Sequence, residues 1–380
     1  MMHKCIVCDA PFLEPELMLL ENMPASAQDI PQKNELHKDK GLSLRLYQCS
    51  GCGLIQFDCP PVDYYKDVIR AGGFSTTMVD LRRKQYRHFI DTYNLTDKKI
   101  IEVGAGQGEF LSILKEFKVH GFGIEHNNNL IQIALNKGTQ INYGFAENEN
   151  TVLKNGPFDA FMSFNYLEHQ PKPNDMLRCI YQNVTEGGVG LITVPSFEYI
   201  KQYDGYYELI RDHIAYYTFD TLRILCEKNG FIVLEEEVIN RDTLSVVVQK
   251  RKRADMGSMA DSYSALPDEF NKFIDDYKKN NKKVAIWGAS HQGFTIAATA
   301  QLTEKIEYII DSAPFKQGKY APASHVPIVS PKYYFEHKVD VIIIIAPGYT
   351  NEIANKINFL YRGGVDIYSL KSNHLEKIGE

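Results

Sequence analysis

The sequence has no apolar run approaching the length of a membrane span, so a membrane-crossing helix is not expected. Its first residues, MMHKC, lack the apolar stretch of a secretory signal, and a cytoplasmic protein is expected. A basic excess is also missing. With 42 Lys and Arg against 48 Asp and Glu, the net charge of −6 disfavours a generic nucleic-acid binder. Cysteine is scarce, at seven residues, and in such a setting it serves metal or packing more readily than disulfides. Two nucleotide signatures are incomplete. A G-x-G-x-x-G turn needs a third glycine where Glu109 stands, and the later segment Gly288 to Gly293 lacks the lysine and hydroxyl of a P-loop.

What is present is room for two or three domains in 380 residues, and 44% hydrophobic content for a sizeable core. The most informative stretch is Lys99 to Phe110, KIIEVGAGQGEF. Ile100, Ile101 and Val103 read as a buried strand, and Gly104, Gly106 and Gly108 as a tight turn into a helix. Glycine lets the main chain turn sharply and admits a ligand to the N–H groups of the new helix. A second strand, Val119 to Glu125, ends in an acid about twenty residues after the turn. A carboxylate there accepts hydrogen bonds from a ribose diol, whether of NAD or of an S-adenosyl ligand. Ile141 to Phe145 reads as a third strand, followed by Glu147. Phe158 to Asn165 reads as a fourth, running into Leu167-Glu168-His169-Gln170-Pro171. A helix over Met176 to Asn183, a turn at Gly187-Gly188, a strand from Val189 to Val194 and a hairpin of Phe231–Val238 with Leu244–Gln249 complete the unit.

Around this centre lie further patterned segments. Cys5-x-x-Cys8 and Cys49-x-x-Cys52 are two knuckles that can grip one tetrahedral ion, and four thiolates fill its shell, as in a structural zinc site. Cys59 reads as packing. The stretch from Tyr64-Tyr65 to Gly72-Gly73-Phe74-Ser75 is either a connector or a lid or wall over a cofactor pocket. Met78 to Tyr93 reads as an amphipathic helix whose Arg82, Arg83, Lys84 and Arg87 form a solvated face. Residues 196–218 form an insertion rich in aromatics, Tyr199, Tyr216 and Tyr217 among them, and containing Asp212-His213. An imidazole beside a carboxylate can act as a general base, or His213 simply caps the helix from Phe219 to Lys228. After a charged linker at 250–253, strands at Lys283–Trp287, Glu307–Asp311 and Val339–Ala346 give a second doubly wound unit. Its loop Gly288-Ala289-Ser290-His291-Gln292-Gly293 reads as degenerate, with His291 a candidate substrate contact.

These motifs carry a resemblance. The G-x-G-x-G loop with Glu102, and the FDxxxxxxxLEHxxxP pattern, resemble class I S-adenosylmethionine (SAM) methyltransferases. The order of the pieces resembles the SAM-dependent C-methyltransferases that act on nucleotide-linked keto-deoxysugars. The section Lys316-Gln317-Gly318-Lys319, followed by Pro322-Ala-Ser-His325-Val-Pro327-Ile328, looks like that family's KQGK…P-G-T-H-I-P-I signature.

The resemblance implies an α/β fold: a class I methyltransferase Rossmann-like sheet (71–253), an N-terminal zinc-binding domain (1–70) and a C-terminal Rossmann-like domain (254–380). It implies that Glu102, Gly104, Gly106, Gln107, Gly108, Glu125, Glu147, Asn165 and His169 lie around SAM. It makes Tyr199, His291, Lys316, Lys319 and His325 substrate contacts. The family's Tyr-x-Glu-His-x-x-Tyr segment aligns with Asp212-His213-Ile214-Ala215-Tyr216, which implies His213 as base, Asp212 orienting it and Tyr216 facing an oxyanion. Asp212 here replaces Glu, and Ile210 occupies the place of the first Tyr. The implied cofactors are SAM and structural zinc, and the implied partner is a small nucleotide-linked sugar, with a monomeric enzyme. An O-methyltransferase, an RNA methyltransferase (disfavoured by the acidic balance) and a non-catalytic SAM or sugar-nucleotide binder stay open as alternatives.

Overall fold

The computed structural model describes residues 4–67 and 75–379. The chain separates into two units, Met1–Arg253 and Ala254–Glu380. The first opens with β1 (Met18–Met23), β2 (Leu42–Gln48) and β3 (Ile55–Phe57), paired antiparallel. Helix α1 (Thr76–Thr92) begins where the Ser75 hydroxyl accepts the Met78 N–H, a side-chain cap for an orphan donor. Strands and helices then alternate: β4 (Lys99–Val103), α2 (Glu109–Ile113), β5 (His120–Glu125), α3 (Asn128–Asn136), β6 (Ile141–Tyr143), β7 (Phe158–Phe164) and α4 (Pro173–Asn183). They continue as β8 (Val184–Pro195), α5 (Phe197–Gln202), β9 (Ala215–Tyr216), α6 (Phe219–Lys228), β10 (Phe231–Ile239) and β11 (Thr243–Lys250).

Seven of these strands form one sheet in the order β10-β11-β8-β7-β4-β5-β6, in which β11 alone runs against the rest. The central strands are apolar on both faces because helices cover both. Ile101, Val103 and Phe161 pack with residues of α4 and α6, while Ile100, Ala160 and Met162 pack with Tyr86, Phe89 and Ile90 of α1. The expected turn at Gly187-Gly188 is a register break inside β8, where Gly187 takes φ +72°. Strand order reverses between β4 and β7, and in such sheets ligands bind beyond the carboxyl ends at that point.

The small sheet has the order β1-β2-β3-β9. Its fourth strand comes from the aromatic insertion: Ile55 pairs with Tyr216 and Gln56 with Ala215, and the Phe57 N–H donates to the Ile214 carbonyl at 3.0 Å. The segment that carries His213 is thereby stitched to the N-terminal region.

The second unit contains α7 (Met259–Lys279), β12 (Val284–Trp287), α8 (His291–Thr299), β13 (Ile309–Ile310), β14 (Ile328–Val329), β15 (Val341–Ile344), α9 (Thr350–Tyr361), β16 (Asp366–Lys371) and β17 (His374–Lys377). The sheet order is β14-β13-β12-β15-β16-β17, parallel except for β17. No helix among the described residues is long and apolar enough to cross a membrane.

Candidate active site

A cleft of about 570 Å³ opens beyond the carboxyl ends of β4, β5 and β7. Gly104, Gly106, Glu125, Asn165, His169, Asp212 and His213 are among the residues that line it. The glycine turn is open because its residues have no side chains. Gly104 sits at φ +72°, and a Cβ there would meet the Tyr166 ring at 2.8 Å. Gly106 (φ +55°) donates its N–H to Glu125 Oε2 at 2.9 Å, while His126 and Asn127 donate to Oε1, also at 2.9 Å. The acid at the end of β5 is therefore held at the rim of the cleft with its carboxylate oriented by main chain. Glu102 is fully buried in β4, Gln107 is half-buried, and Gly108 packs toward Ala134 and Thr139; none of the three lines the cleft. Glu147 is exposed, paired with Lys66 at 2.7 Å, and borders a separate hollow of about 220 Å³ with Tyr65 and Phe145.

The side of the cleft that carries Asp212 and His213 departs from expectation in two respects. Asp212 does not bond to the His213 ring. One of its oxygens accepts the Tyr64 hydroxyl and the other the Ala27 N–H at 3.0 Å, so the acid braces the N-terminal region. Tyr216 does not face the cleft either. Its hydroxyl accepts the Ile210 N–H at 2.9 Å and donates to the Ile210 carbonyl at 3.2 Å, because pairing within β9 turns the ring inward. The nearest ring to His213 is His169, with centroids 4.7 Å apart and planes at 74°. His169 donates Nδ1–H to the Asp212 carbonyl at 2.8 Å, which in the neutral ring leaves the lone pair on Nε2. Burial lowers the His169 pKa to about 4. Burial, followed by the neighbouring His169, lowers that of His213 to about 3. Both rings are therefore neutral proton acceptors. Tyr199 packs against Tyr203 with ring planes tilted at 45° and does not line the cleft. The wall expected at 72–74 lies outside the described residues.

Several lining residues escaped the sequence reading. Arg82 is 1% exposed, not solvated. Its guanidinium lies 3.9 Å from the Phe164 ring centroid and 4.7 Å from that of Phe110. It donates to Thr193 Oγ1 at 3.3 Å, and Thr193 donates to Asn165 Oδ1 at 3.1 Å. Arg82 thus reaches the positive-φ residue at the end of β7. Its signal was spacing: Arg82, Tyr86, Phe89 and Ile90 share one helical face, the buried one. Asn240, Asp242 and Thr243, from the turn between β10 and β11, also line the cleft, and nothing in that turn marks them in advance.

Away from the cleft, the four knuckle cysteines converge, with their sulfurs within 4.8 Å of one another. Cys5 and Cys52 sulfurs are 3.5 Å apart and those of Cys8 and Cys49 are 3.2 Å apart, close to the ~3.8 Å edge of a tetrahedron with Zn–S bonds of about 2.3 Å. Val7 donates its N–H to Cys5 Sγ, and Gly51 and Cys52 donate theirs to Cys49 Sγ, which stabilises thiolate charge. The donor set fits zinc. In the second unit, Lys316 Nζ lies 3.0 Å from Asp311 Oδ2 and donates to the Ala289 carbonyl at 2.7 Å. His291 opens α8, and His291, Lys319 and His325 are exposed, His325 at φ +55°.

Comparison with known proteins agrees with this layout. Residues 68–236 match the family model of a methyltransferase domain, and residues 246–370 match that of a C-methyltransferase C-terminal domain. The C-methyltransferase NovU of Streptomyces niveus is 22% identical over 319 residues, covering 76% of each chain. Phosphoethanolamine N-methyltransferase 2 of Caenorhabditis elegans is 24% identical over 190 residues, which is 48% of this chain and 42% of that one. Among solved structures, a SAM-dependent methyltransferase from Archaeoglobus fulgidus aligns with a TM-score of 0.37 at 19% identity, over 45% of this chain and 94% of that chain. The chain thus carries a methyltransferase domain followed by a C-methyltransferase C-terminal domain, and is a SAM-dependent methyltransferase.

Proposed function

We propose that this enzyme methylates a carbon next to a ketone on a nucleotide-linked sugar, with His213 as the base. The observation that carries the reading is the position of His213. Its imidazole lines the same cleft as the glycine turn and Glu125 and is neutral at physiological pH, while burial makes it a weaker base than a solvated imidazole. A ketone acidifies the neighbouring C–H by delocalising the charge into an enolate, which lowers the demand on the base, and a donor to the enolate oxygen would lower it further. Bound in the cleft, SAM supplies an electrophilic methyl group. Gly104 and Gly106 would admit its methionine portion to the main chain, and Glu125 would accept the ribose hydroxyls. Arg82 would stand as a buried cation for the cofactor's carboxylate. Tyr64 and Asp212 would fix the loop that presents His213. Zinc at Cys5, Cys8, Cys49 and Cys52 would hold the N-terminal module in place. In the second unit, Lys319 and His325 are proposed contacts for a nucleotide diphosphate, in keeping with the match to a C-methyltransferase C-terminal domain.

The test combines two readouts on His213→Ala. Methyl transfer to a panel of nucleotide-linked 4-keto sugars, followed by mass spectrometry, should fall by at least ~100-fold. Calorimetric SAM affinity should stay within about threefold. Near-wild-type turnover rejects the base, and a product methylated on oxygen rejects the reaction class.

A further inference from the structure

The cysteine cluster is not the only group of metal-ligating side chains. Glu168, His169 and His213 each offer one donor atom, and the three atoms lie within 4.8 Å of one another in the cleft. We propose that this trio is a second divalent-metal site, for an ion of the zinc or cobalt class, and that a filled site withholds His213 from proton abstraction. The consequence for turnover, though not the site, rests on the base reading above.

Three observations support it. The donor set is two imidazoles and one carboxylate, the combination that borderline first-row ions take with positions left for water or ligand. Bonds of about 2.0–2.2 Å place donor atoms some 3–4.4 Å apart, so a small side-chain rotation closes the trio on an ion. His169 is already oriented. Its Nδ1–H is committed to the Asp212 carbonyl at 2.8 Å, the outer hydrogen bond that metal-bound histidines characteristically make, and Nε2 is left to ligate. The three residues are also held together by main chain. Glu168 and His169 sit on one short 3-10 turn at the end of β7, and the Ile214 N–H donates to the Glu168 carbonyl at 3.0 Å, fixing the His213 loop against that turn. The cysteine site has no free coordination position once zinc fills it, whereas this trio would keep one or more.

An ion here would occupy an imidazole nitrogen that the reaction needs. Metal loading and turnover would exclude each other, with the ion binding and leaving reversibly and no bond of the substrate changed.

The test uses full-length protein with its cysteine site loaded with zinc, titrated with Co²⁺. One further equivalent should bind, giving weak visible d–d bands without the intense near-ultraviolet thiolate charge-transfer band. Methyl transfer should fall in proportion to its occupancy. His169→Asn and Glu168→Gln should each weaken that binding at least ~tenfold, with circular dichroism and an unchanged melting transition reporting that the fold is intact. A titration with no further equivalent, or one whose affinity is unchanged in both variants, overturns the site. Turnover that rises with occupancy overturns the exclusion. If His213→Ala keeps full turnover the base reading fails, yet loss of the cobalt bands in that same variant still supports the site.

Discussion

The two units solve one local problem in two ways. Each places a turn after its first central strand and an acid beyond the next: Gly104 to Gly108 with Glu125, and Gly288 to Gly293 with Asp311. In each, that carboxylate accepts a main-chain N–H of the turn, Gly106 to Glu125 at 2.9 Å and Ala289 to Asp311 at 3.0 Å. The outcomes then diverge. Beside Glu125 lies a cleft lined by glycine main chain, Asn165 and His169. Beside Asp311 lies Lys316, which bonds both the acid and the turn's own carbonyl. The second turn is also folded tightly on itself: a Cβ on Gly293 would sit 2.1 Å from the Gly288 carbonyl oxygen. Strand order alone therefore does not make an open cleft at the glycine turn. What separates them is the lysine ammonium that pairs with the second acid and ties it to its own turn.

The largest test of this contrast is removal of the metal expected at the cysteines, since only the first unit holds such a cluster among the described residues. Structural zinc sites contribute on the order of 10 kcal/mol to folding, so a strong chelator should lower the first unit's melting transition by at least ~10 °C. The second unit's transition should stay in place, as read by scanning calorimetry; equal shifts in both would erase the distinction. Next come the glycines. Gly104→Ala puts a Cβ 2.8 Å from the Tyr166 ring and should weaken SAM binding at least ~tenfold, measured by calorimetric titration. Gly288→Ala, at φ +127° and 2.5 Å from the Ile345 carbonyl oxygen, should instead cost the second unit ~2–4 kcal/mol in denaturant unfolding and leave SAM affinity unchanged. The smallest effect belongs to the lysine. Lys316→Met removes one partner of a half-buried pair and should destabilise the second unit by only ~1 kcal/mol.

The parts legible from sequence were those written in local periodicity. The apolar run Ile100 to Val103, its glycines, the acid at Glu125 and the two cysteine knuckles each announce a structure within a dozen residues. What stayed hidden depends on distant pairing. Tyr64 and Asp212 meet across 148 positions, and no local pattern records it. Tyr216 belongs by motif to the Asp212-His213 segment, yet its pairing with Ile55 turns the phenol toward Ile210. The charge of Arg82 points to solvent, whereas its helical phase places it on the buried face with Tyr86 and Phe89.

The strand that runs from the histidine loop into the N-terminal sheet has a practical consequence. Neither partner can be trimmed or exchanged alone. A truncation that removes Ile55 to Phe57 would strip the loop of its edge partner and let the imidazole drift even though every cleft residue remained. Grafting a relative's acceptor specificity onto this scaffold therefore calls for transplanting both segments as a matched set.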